Sequence, residues 1–242
     1  MSTPEREPYN FEGKNALVTG ASKGLGEQIS RELVDRGVHV IGTSRSGPPE
    51  SLQSDIERGA ASYELGDLSA EGDRILEHIQ EEHGGYEIFV NNAGAFFIAP
   101  ALETSVEAFA ETLAVNLTAP FAVVRALLPA MIKAGGGHVV TIGSIADRST
   151  YPGNAAYAAS KHGLRALHAV LRAELRASGV RVSLVSPGPV NTDLWNPIDP
   201  DQQPGFTPRA AMLAPEAVAD AVYWVVTASP ELNVDELRLS RS

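Results

Sequence analysis

The sequence contains no cysteine, and this absence excludes disulfides, cysteine-ligated metals and thiol nucleophiles. No apolar run approaches the roughly 20 residues of a membrane span, and residues 1–13 lack the apolar core of a signal peptide. Basic residues are scarce as well, because 19 lysines and arginines face 30 acidic residues, for a net charge of −11. Nonspecific nucleic-acid binding requires a basic surface. These absences predict a cytoplasmic protein that binds neither nucleic acid nor membrane.

The acidic excess and the histidines give no further functional signal. The charge is explained by solubility, although a high-salt habitat would also favour it. The six histidines show no spacing typical of metal ligands, and His162 and His168 are interpreted as packing or surface residues. No metal site is predicted.

Short apolar runs alternate with amphipathic stretches along most of the chain. The runs predict seven strands, at 14–20, 38–44, 61–65, 86–91, 138–144, 180–186 and 233–239. The stretches between them predict helices, at 25–35, 51–58, 69–83, 106–133, 154–178 and 215–227. This alternation, with near-continuous apolar strands, predicts a parallel sheet covered by helices on both faces. With 242 residues and 43% hydrophobic content, the chain fits one α/β domain, a doubly wound Rossmann-like fold.

Two segments depart from this regular pattern. Residues 1–12 are polar and are expected to form a short mobile leader before a domain that covers 13–242. Residues 191–213 are irregular and rich in proline, and they also contain Trp195 and Phe206. A long irregular segment beside a site is more often a lid than a linker, so a lid is predicted here.

A glycine-rich turn follows the first predicted strand and opens the first predicted helix. It reads Thr19-Gly20-Ala21-Ser22-Lys23-Gly24-Leu25-Gly26, a GxxxGxG spacing. The free N–H groups and the dipole of a helix N-terminus favour a pyrophosphate. Such turns also occur for purely structural reasons, but the strand and helix context favours a dinucleotide site.

The end of the second predicted strand indicates which dinucleotide is bound. An acidic residue there would bind a ribose 2′-hydroxyl, whereas an arginine accommodates a 2′-phosphate. Ser44 and Arg45 stand at this point without a carboxylate, and Lys23 is expected nearby. Arg45 can grip phosphate oxygens in a forked geometry. The pattern predicts NADP(H) in preference to NAD(H); the alternative is that both cations are solvated surface residues.

Tyr157 and Lys161 are four residues apart on a predicted helix, and Ser144 precedes them at the end of the fifth predicted strand. Side chains at this helical spacing share one face, about 6 Å apart in rise. A nearby ammonium favours the phenolate, so the pair predicts a lowered tyrosine pKa and a proton donor or acceptor. A YxxxK pair also arises by chance, so it carries weight only beside the other motifs.

Asn116 lies inside the long predicted helix, and Pro120 follows four residues later. Because proline has no N–H, the Asn116 carbonyl is expected to lose its helical partner and to be free to hold a water. Pro120 is also expected to kink the helix, which would expose that carbonyl.

Together these motifs resemble the short-chain dehydrogenase/reductase family, in its subgroup of single-domain chains. The resemblance runs from about residue 14 to residue 230. It rests on TGASKGLG at 19–26, Asp67-Leu68, NNAG at 91–94, Asn116, Ser144, Tyr157-x-x-x-Lys161 and PGPVNT at 187–192.

The resemblance implies four catalytic residues. Tyr157 would be the general acid in reduction and the base in oxidation, and Lys161 would lower its pKa and hold the nicotinamide ribose. Ser144 would hydrogen-bond the substrate oxygen and stabilise developing charge. Asn116 would anchor a water in a proton path to Lys161. The reaction implied is hydride transfer between nicotinamide and a carbonyl or secondary alcohol.

The resemblance also implies cofactor contacts beyond the glycine turn. Asp67 would contact the adenine amino group, with a main-chain contact from Leu68. The remaining residues would line the groove or cradle the nicotinamide: Asn91, Asn92, Ala93, Gly94, Pro187, Gly188, Val190 and Thr192. It further implies a homodimer or homotetramer built on the two long helices. Ala155, Ala159 and Gly163 form a small-residue stripe that suits close packing, inside the fold or between subunits.

The substrate is less well defined. The start of the chain is similar to 3-oxoacyl-carrier-protein reductases, but its end resembles NADP-dependent hydroxy-acid and alcohol dehydrogenases, which puts an acyl-carrier substrate in doubt. A pocket for a small molecule is expected from Ser144, Ile145, Phe96, Phe97, Tyr151 and Tyr157, covered by Trp195 and Phe206. These aromatics are alternatively core or interface residues.

The role of Arg148 is also open, because its side chain would either bind a substrate carboxylate or form a surface salt bridge. Two functions other than hydride transfer stay open on the same fold. One is a nonredox enzyme, and the other is a nucleotide-sensing binding protein.

Overall fold

The computed structural model describes residues 13–229 and 231–242, so the predicted leader at 1–12 lies outside the described residues. One sheet of seven strands forms the centre, in the order β3-β2-β1-β4-β5-β6-β7. All neighbouring strands are parallel. The strands are β1 (Asn15–Thr19), β2 (His39–Ser44), β3 (Ala61–Leu65), β4 (Ile88–Asn91), β5 (Gly137–Ile142), β6 (Val180–Pro187) and β7 (Glu236–Leu239).

Helices cover both faces of this sheet. They are α1 (Gly24–Asp35), α2 (Gln53–Glu57), α3 (Leu68–His83), α4 (Val106–Leu113), α5 (Ala119–Ala134), α6 (Ala155–Glu174) and α7 (Pro215–Thr227). Apolar residues of α1 and α7 pack on one face, and those of α3, α5 and α6 pack on the other. The doubly wound parallel sheet predicted from the sequence is confirmed.

The central strands are continuous apolar runs because both of their faces are buried. Leu17 of β1 lies opposite Ile41 of β2 and Phe89 of β4, and all three are fully buried. The strand order reverses between β1 and β4, which makes their carboxyl ends the switch point of the sheet. In open α/β sheets this is where ligands bind.

The prediction of a single helix at 106–133 is wrong in one respect, because a π turn at Ala114–Thr118 separates α4 from α5. The amide of Ala119 donates to the carbonyl of Ala114, five residues back. Pro120 cannot donate to Asn116, so the helix continues with this wider turn.

By length and composition alone, Val106–Ala134 would also suit a membrane span, which the sequence analysis missed. In the fold, Val123, Val124, Leu127 and Met131 of this stretch are buried.

The segment at 191–213 is closed at its base by backbone hydrogen bonds. The amide of Leu213 donates to Pro189, and the amide of Asn191 donates to Leu213, at 2.8 and 2.9 Å. The Arg209 guanidinium then ties the segment together, donating to Asn191 Oδ1, the Thr192 carbonyl and Asn196 Oδ1 at 2.6 to 3.1 Å. The segment therefore has a defined conformation beside the carboxyl ends of the strands.

Candidate active site

A cleft of about 890 Å³ runs along the carboxyl ends of the strands. Three of the four predicted catalytic residues line it, namely Ser144, Tyr157 and Lys161. Every predicted cofactor residue lines it as well: Gly20, Ser22, Lys23, Gly24, Leu25, Gly26, Ser44, Arg45, Asp67, Leu68, Asn92, Ala93, Gly94, Pro187, Gly188, Val190 and Thr192. The structure thus brings together motifs that are up to 172 residues apart, as from Gly20 to Thr192.

The glycine turn leaves no room for side chains at its closest point. A Cβ atom on Gly26 would lie 2.1 Å from the Gly20 carbonyl oxygen and 2.5 Å from Asn92 Nδ2. Gly20 and Gly24 have φ values of +68° and +58°, which glycine adopts at little cost. This packing sets the N-terminus of α1 against the cleft, where a phosphate would meet free amides and the helix dipole.

The end of the cleft beyond the glycine turn is rich in hydroxyls and cations. Ser44 Oγ lies 2.5 Å from the Tyr63 hydroxyl, and Ser46 Oγ donates to Ser22 Oγ at 3.0 Å. The exposed side chains of Lys23 and Arg45 border the same space. Hydroxyl and guanidinium donors in one place are the groups that bind a phosphate.

Asp67 is the carboxylate at this end of the cleft. Its Oδ1 caps α3 by accepting from the Ser69 amide at 2.9 Å and from Ser69 Oγ at 2.6 Å. These hydrogen bonds hold its pKa below the ordinary value, and the charge of Arg45 acts in the same direction. Asp67 is thus held in place as an anion by its cap, with Arg45 close enough to influence it.

Tyr157 and Lys161 lie together on α6, as the spacing predicts. Lys161 is buried, its Nζ donates to the Ile142 carbonyl at 3.0 Å, and Nζ lies 5.7 Å from the centre of the Tyr157 ring. The expected lowering of the Tyr157 pKa is wrong for the protein alone. Burial raises that pKa, the Asp147 charge raises it too, and hydrogen bonding with Ser144 acts against them.

Burial lowers the pKa of Lys161 to about 8, and the negative charge of Asp147 acts against this shift. Desolvation therefore has the larger influence on both members of the pair. Helical spacing predicts that two side chains lie close together. The sign of their pKa shifts, however, depends on how deeply the fold buries them.

Asp147 is a buried carboxylate beside this pair that the sequence analysis did not identify. It is fully buried, and Ser186 Oγ donates to its Oδ2 at 2.5 Å. Arg148 Nε lies 3.5 Å from its Oδ1. In the sequence, Asp147 follows Ser144 by only three residues, in the turn Ile145–Asp147, and this closeness could have identified it as a site residue.

Asn116 is fully buried and does not line the cleft. Its Oδ1 accepts from the Ala95 amide at 2.7 Å, while its Nδ2 donates to the Ala95 carbonyl and to Ser160 Oγ at 2.8 and 3.0 Å. Ser160 Oγ in turn donates to the Tyr157 carbonyl at 2.7 Å. The Asn116 side chain therefore fastens the loop after β4 to the turn of α6 that carries Tyr157.

The loop after β6 closes over the glycine turn. The Gly188 amide donates to the Leu239 carbonyl at 2.8 Å, which fixes the loop to the last strand. Thr192 then reaches across the cleft, because a Cβ atom on Gly24 would lie 3.3 Å from the Thr192 Cβ. The two motifs thus border one continuous cleft.

Aromatic side chains form the wall beside Tyr157. The Phe96 ring contacts the Tyr157 ring edge-on at 4.8 Å between centroids and the Trp195 ring at 4.9 Å, and Trp195 lies 6.2 Å from Phe206. Ile145 and Tyr151 also line the cleft. Phe97 does not, since it is exposed outside the cleft, so its predicted place in the pocket is wrong.

Arg148 pairs with Glu236 at 2.7 Å and is not among the residues that line the cleft. Of its two predicted roles, the structure supports the salt bridge.

Comparisons with known proteins show which family the chain resembles. A family model of short chain dehydrogenases matches residues 14–203. The chain is 33% identical over 223 residues to a 3-oxoacyl-(acyl-carrier-protein) reductase of Escherichia coli K12, covering 90% of this chain and 91% of that protein.

Two solved structures are similar over most of their length. One is the closed form of a serine dehydrogenase complexed with NADP+, with TM-score 0.83, 30% identity, and 93% and 94% of the two chains covered. The other is a metagenomic short-chain oxidoreductase in complex with NADP, with TM-score 0.80, 31% identity, and 96% and 98% covered.

Proposed function

Since the chain belongs to the short chain dehydrogenase family, we propose that it is an NADP(H)-dependent oxidoreductase. It would transfer a hydride between nicotinamide and a small carbonyl compound or secondary alcohol. The observation that carries this proposal is a single cleft that joins the phosphate-binding features of the glycine turn to Ser144, Tyr157 and Lys161.

The residues at the glycine turn fit the pyrophosphate of a dinucleotide. A Cβ atom on Gly26 would overlap the Gly20 carbonyl and Asn92 Nδ2, so only glycine fits there, and the turn packs closely on the helix N-terminus. Lys23 and Arg45, with the hydroxyls of Ser22 and Ser44, would hold a 2′-phosphate. Asp67 and Leu68 would face the adenine. The bound nicotinamide supplies the hydride chemistry, and the protein orients it and manages the proton.

Tyr157 is the residue that would donate the proton during carbonyl reduction and accept it during alcohol oxidation. Its raised pKa keeps the phenol protonated, which suits a general acid. Ser144, whose hydroxyl acts to lower the pKa of Tyr157, would hold the substrate oxygen and stabilise the charge that develops there.

Lys161 and Asn116 would act on either side of Tyr157. Lys161, held by the Ile142 carbonyl, would bind the nicotinamide ribose and favour proton release from Tyr157. The carbonyl of Asn116, which lies in the π turn, would support a proton path toward Lys161. The Asn116 side chain would position Tyr157 through Ser160. A π turn inserted in a helix is frequent at functional sites.

The rest of the chain supports an assembled enzyme with a lid. We propose that 13–242 is the catalytic domain, that 191–213 covers the substrate, and that the protein works in the cytoplasm as a homodimer or homotetramer. Phe121 on α5 and Val170 on α6 are about half exposed, and such apolar side chains suit helix packing between subunits. Gly163 already packs on Leu117 inside the subunit, which leaves Ala155 and Ala159 exposed on α6.

Oxidation of NADPH by a panel of ketones, followed by the absorbance of the reduced nicotinamide, tests this function. Turnover should be measurable with NADPH and should exceed turnover with NADH. Tight NADPH binding without oxidation by any carbonyl would instead identify a nucleotide sensor. Turnover of a carbonyl or halide compound without net change in NADPH would identify a nonredox enzyme.

A further inference from the structure

We propose that the substrate of this cleft is a neutral ketone with an aromatic or similarly bulky apolar substituent, received against the wall formed by Phe96, Trp195 and Phe206. The inference rests on the proposed carbonyl reduction and names the substrate class for the same site. It is drawn from the apolar wall of the cleft and from the placement of its charges.

The three rings form a continuous edge-to-face chain that begins at the catalytic tyrosine. Phe96 contacts both Tyr157 and Trp195, and Trp195 continues to Phe206 within the segment 191–213. The rings are tilted by 68° to 77°, so each presents an edge to the face of its neighbour. A substrate ring would find the same offset and edge-on contacts that aromatic pairs favour.

The indole of Trp195 is fixed by a hydrogen bond, so its face does not rotate freely. Its Nε1 donates to the Val190 carbonyl at 3.1 Å, and the Arg209 guanidinium holds the backbone of the neighbouring Thr192 at 3.1 Å. With its polar group bound to main chain, Trp195 offers the cleft apolar surface alone. A preorganised apolar wall binds a rigid ring at low entropic cost.

Apolar surface in this half of the cleft is left open to water. Ile145, Tyr151 and Leu194 are 38%, 49% and 43% exposed, and all three line the cleft. Exposed apolar side chains that line the same cleft as polar catalytic groups are typical of ligand sites. A ring placed over them would release that surface from water.

Two of the three cations that line the cleft lie away from the rings, and the third, beside Tyr157, is held by main chain. Among residues 13–229 and 231–242, those lining the cleft are Lys23, Arg45 and Lys161. The first two flank the glycine turn and the end of β2, and Lys161 is bound to the Ile142 carbonyl. Asp193 is the charged residue on the aromatic side. Arg148 is paired with Glu236 and Asp147 away from the cleft. A substrate carboxylate would thus meet a negative charge and lose its water without a partner.

Three related keto compounds separate charge from ring. Ethyl benzoylformate is a neutral keto ester with a phenyl group, benzoylformate has the same ring with a carboxylate, and ethyl pyruvate has the same ester without the ring. We expect kcat/KM with NADPH to be at least about tenfold higher for ethyl benzoylformate than for either of the others, since a well-placed apolar group contributes one to two orders of magnitude. Benzoylformate or ethyl pyruvate matching it would overturn the proposal.

Binding by isothermal titration calorimetry makes the test independent of turnover and of carbonyl reactivity. The neutral aryl ester should bind at least about tenfold more tightly than the aryl carboxylate. If no carbonyl compound oxidises NADPH, the proposed function fails. The order of the two affinities then still tests which class of ligand the cleft prefers. Equal or tighter binding of benzoylformate would overturn it.

Two leucine substitutions locate the effect. Phe96→Leu and Trp195→Leu should each reduce the ratio of kcat/KM for ethyl benzoylformate over ethyl pyruvate by about fivefold or more. Phe97→Leu is the matched control, because Phe97 is the next residue and lies outside the cleft; it should leave the ratio unchanged. A ratio of two kcat/KM values does not depend on how much of the enzyme is folded. Thermal unfolding measures the stability of each variant separately. An unchanged ratio in both cleft variants would contradict the assignment.

Discussion

Lys161 Nζ lies 5.7 Å from the centre of the Tyr157 ring, and its hydrogen bond to the Ile142 carbonyl holds it there at the end of β5. The ammonium therefore faces the ring and a main-chain oxygen, in a site that α6 and the sheet shield from water. Because burial is the largest influence on both side chains, it raises the pKa of Tyr157 and lowers that of Lys161. In the proposed reaction, this pair handles the proton while the cofactor handles the hydride.

Replacing Arg45 with Asp should reverse the cofactor preference. A lost charge-assisted hydrogen bond is worth roughly 1.5–3 kcal/mol, so the Kd of NADPH should rise about tenfold to hundredfold, while an acid at this point suits a ribose hydroxyl. Kd values for NADPH and NADH measure the effect. Lys133→Asp is a charge-matched control at the end of α5, outside the cleft. A wild-type preference for NADH, or equal effects of both substitutions, would contradict the assignment of Lys23 and Arg45.

Replacing Asp147 with Asn should move the alkaline limb of the rate profile for ketone reduction to lower pH. The Asp147 charge raises the pKa of both Tyr157 and Lys161, so its removal shifts both groups in the same direction. The dependence of kcat/KM on pH measures this. Ser186→Ala removes the hydrogen bond to Asp147 but keeps the carboxylate, so its limb should move less. A limb that stays in place in D147N would show that Asp147 has only a structural role.

His138 should make the protein sensitive to acid. It is buried in β5 with one ring nitrogen hydrogen-bonded to Ser183 Oγ at 2.8 Å, and desolvation lowers its pKa from 6.5 to about 3. The unfolded chain then binds a proton that the folded chain excludes, so stability falls as pH drops from 6.5 toward 3. The loss for this group is about 1.4 kcal/mol per pH unit within that window.

Urea unfolding of His138→Asn between pH 6.5 and 4 tests this linkage, over pH values chosen inside the window. The variant keeps a polar group near Ser183 but cannot be protonated, so its stability should fall less steeply with pH. Ser183→Ala is the matched comparison, since it is expected to lower stability overall yet retain the wild-type slope. The same slope in H138N and wild type would rule out His138 as the source.

Replacing Gly26 with Ala should destabilise the protein and weaken NADPH binding. The added methyl would overlap the Gly20 carbonyl and Asn92 Nδ2, and overpacking of this kind costs about 1–3 kcal/mol. Gly72→Ala in α3 is the matched control, because a Cβ there meets no atom within 4 Å. Alanine at that helical position should stabilise by about 0.5 kcal/mol. Thermal unfolding and the Kd of NADPH distinguish the two, and equal effects would contradict the close packing at Gly26.

Much of the fold can be read from the sequence because the central strands are continuous apolar runs. The run at 61–65 becomes β3 with the same bounds, and the glycine turn opens α1 as expected. The strand predicted at 86–91 is shorter, since β4 begins at Ile88. The helix at 106–133 contains a π turn, because proline removes one donor while the surrounding packing keeps the helix continuous.

The site is harder to predict where its chemistry depends on partners far along the chain. Arg148 meets Glu236 across 88 residues, and Asp147 meets Ser186 across 39. No periodic pattern connects such residues, so the sequence left Arg148 open and missed Asp147. The pKa of Tyr157 was predicted in the wrong direction for a related reason, since spacing gives a neighbour but not the depth of burial.

The most direct test of the account measures hydride transfer by Tyr157→Phe and wild type, with NADPH and ethyl benzoylformate. The phenylalanine keeps the ring contact with Phe96 but has no hydroxyl to give a proton. We predict that kcat falls by at least about a hundredfold, the size expected for loss of a general acid, while the Kd of NADPH stays within a few fold. A Y157F enzyme that oxidises NADPH at the wild-type rate would contradict the role of Tyr157 as the general acid.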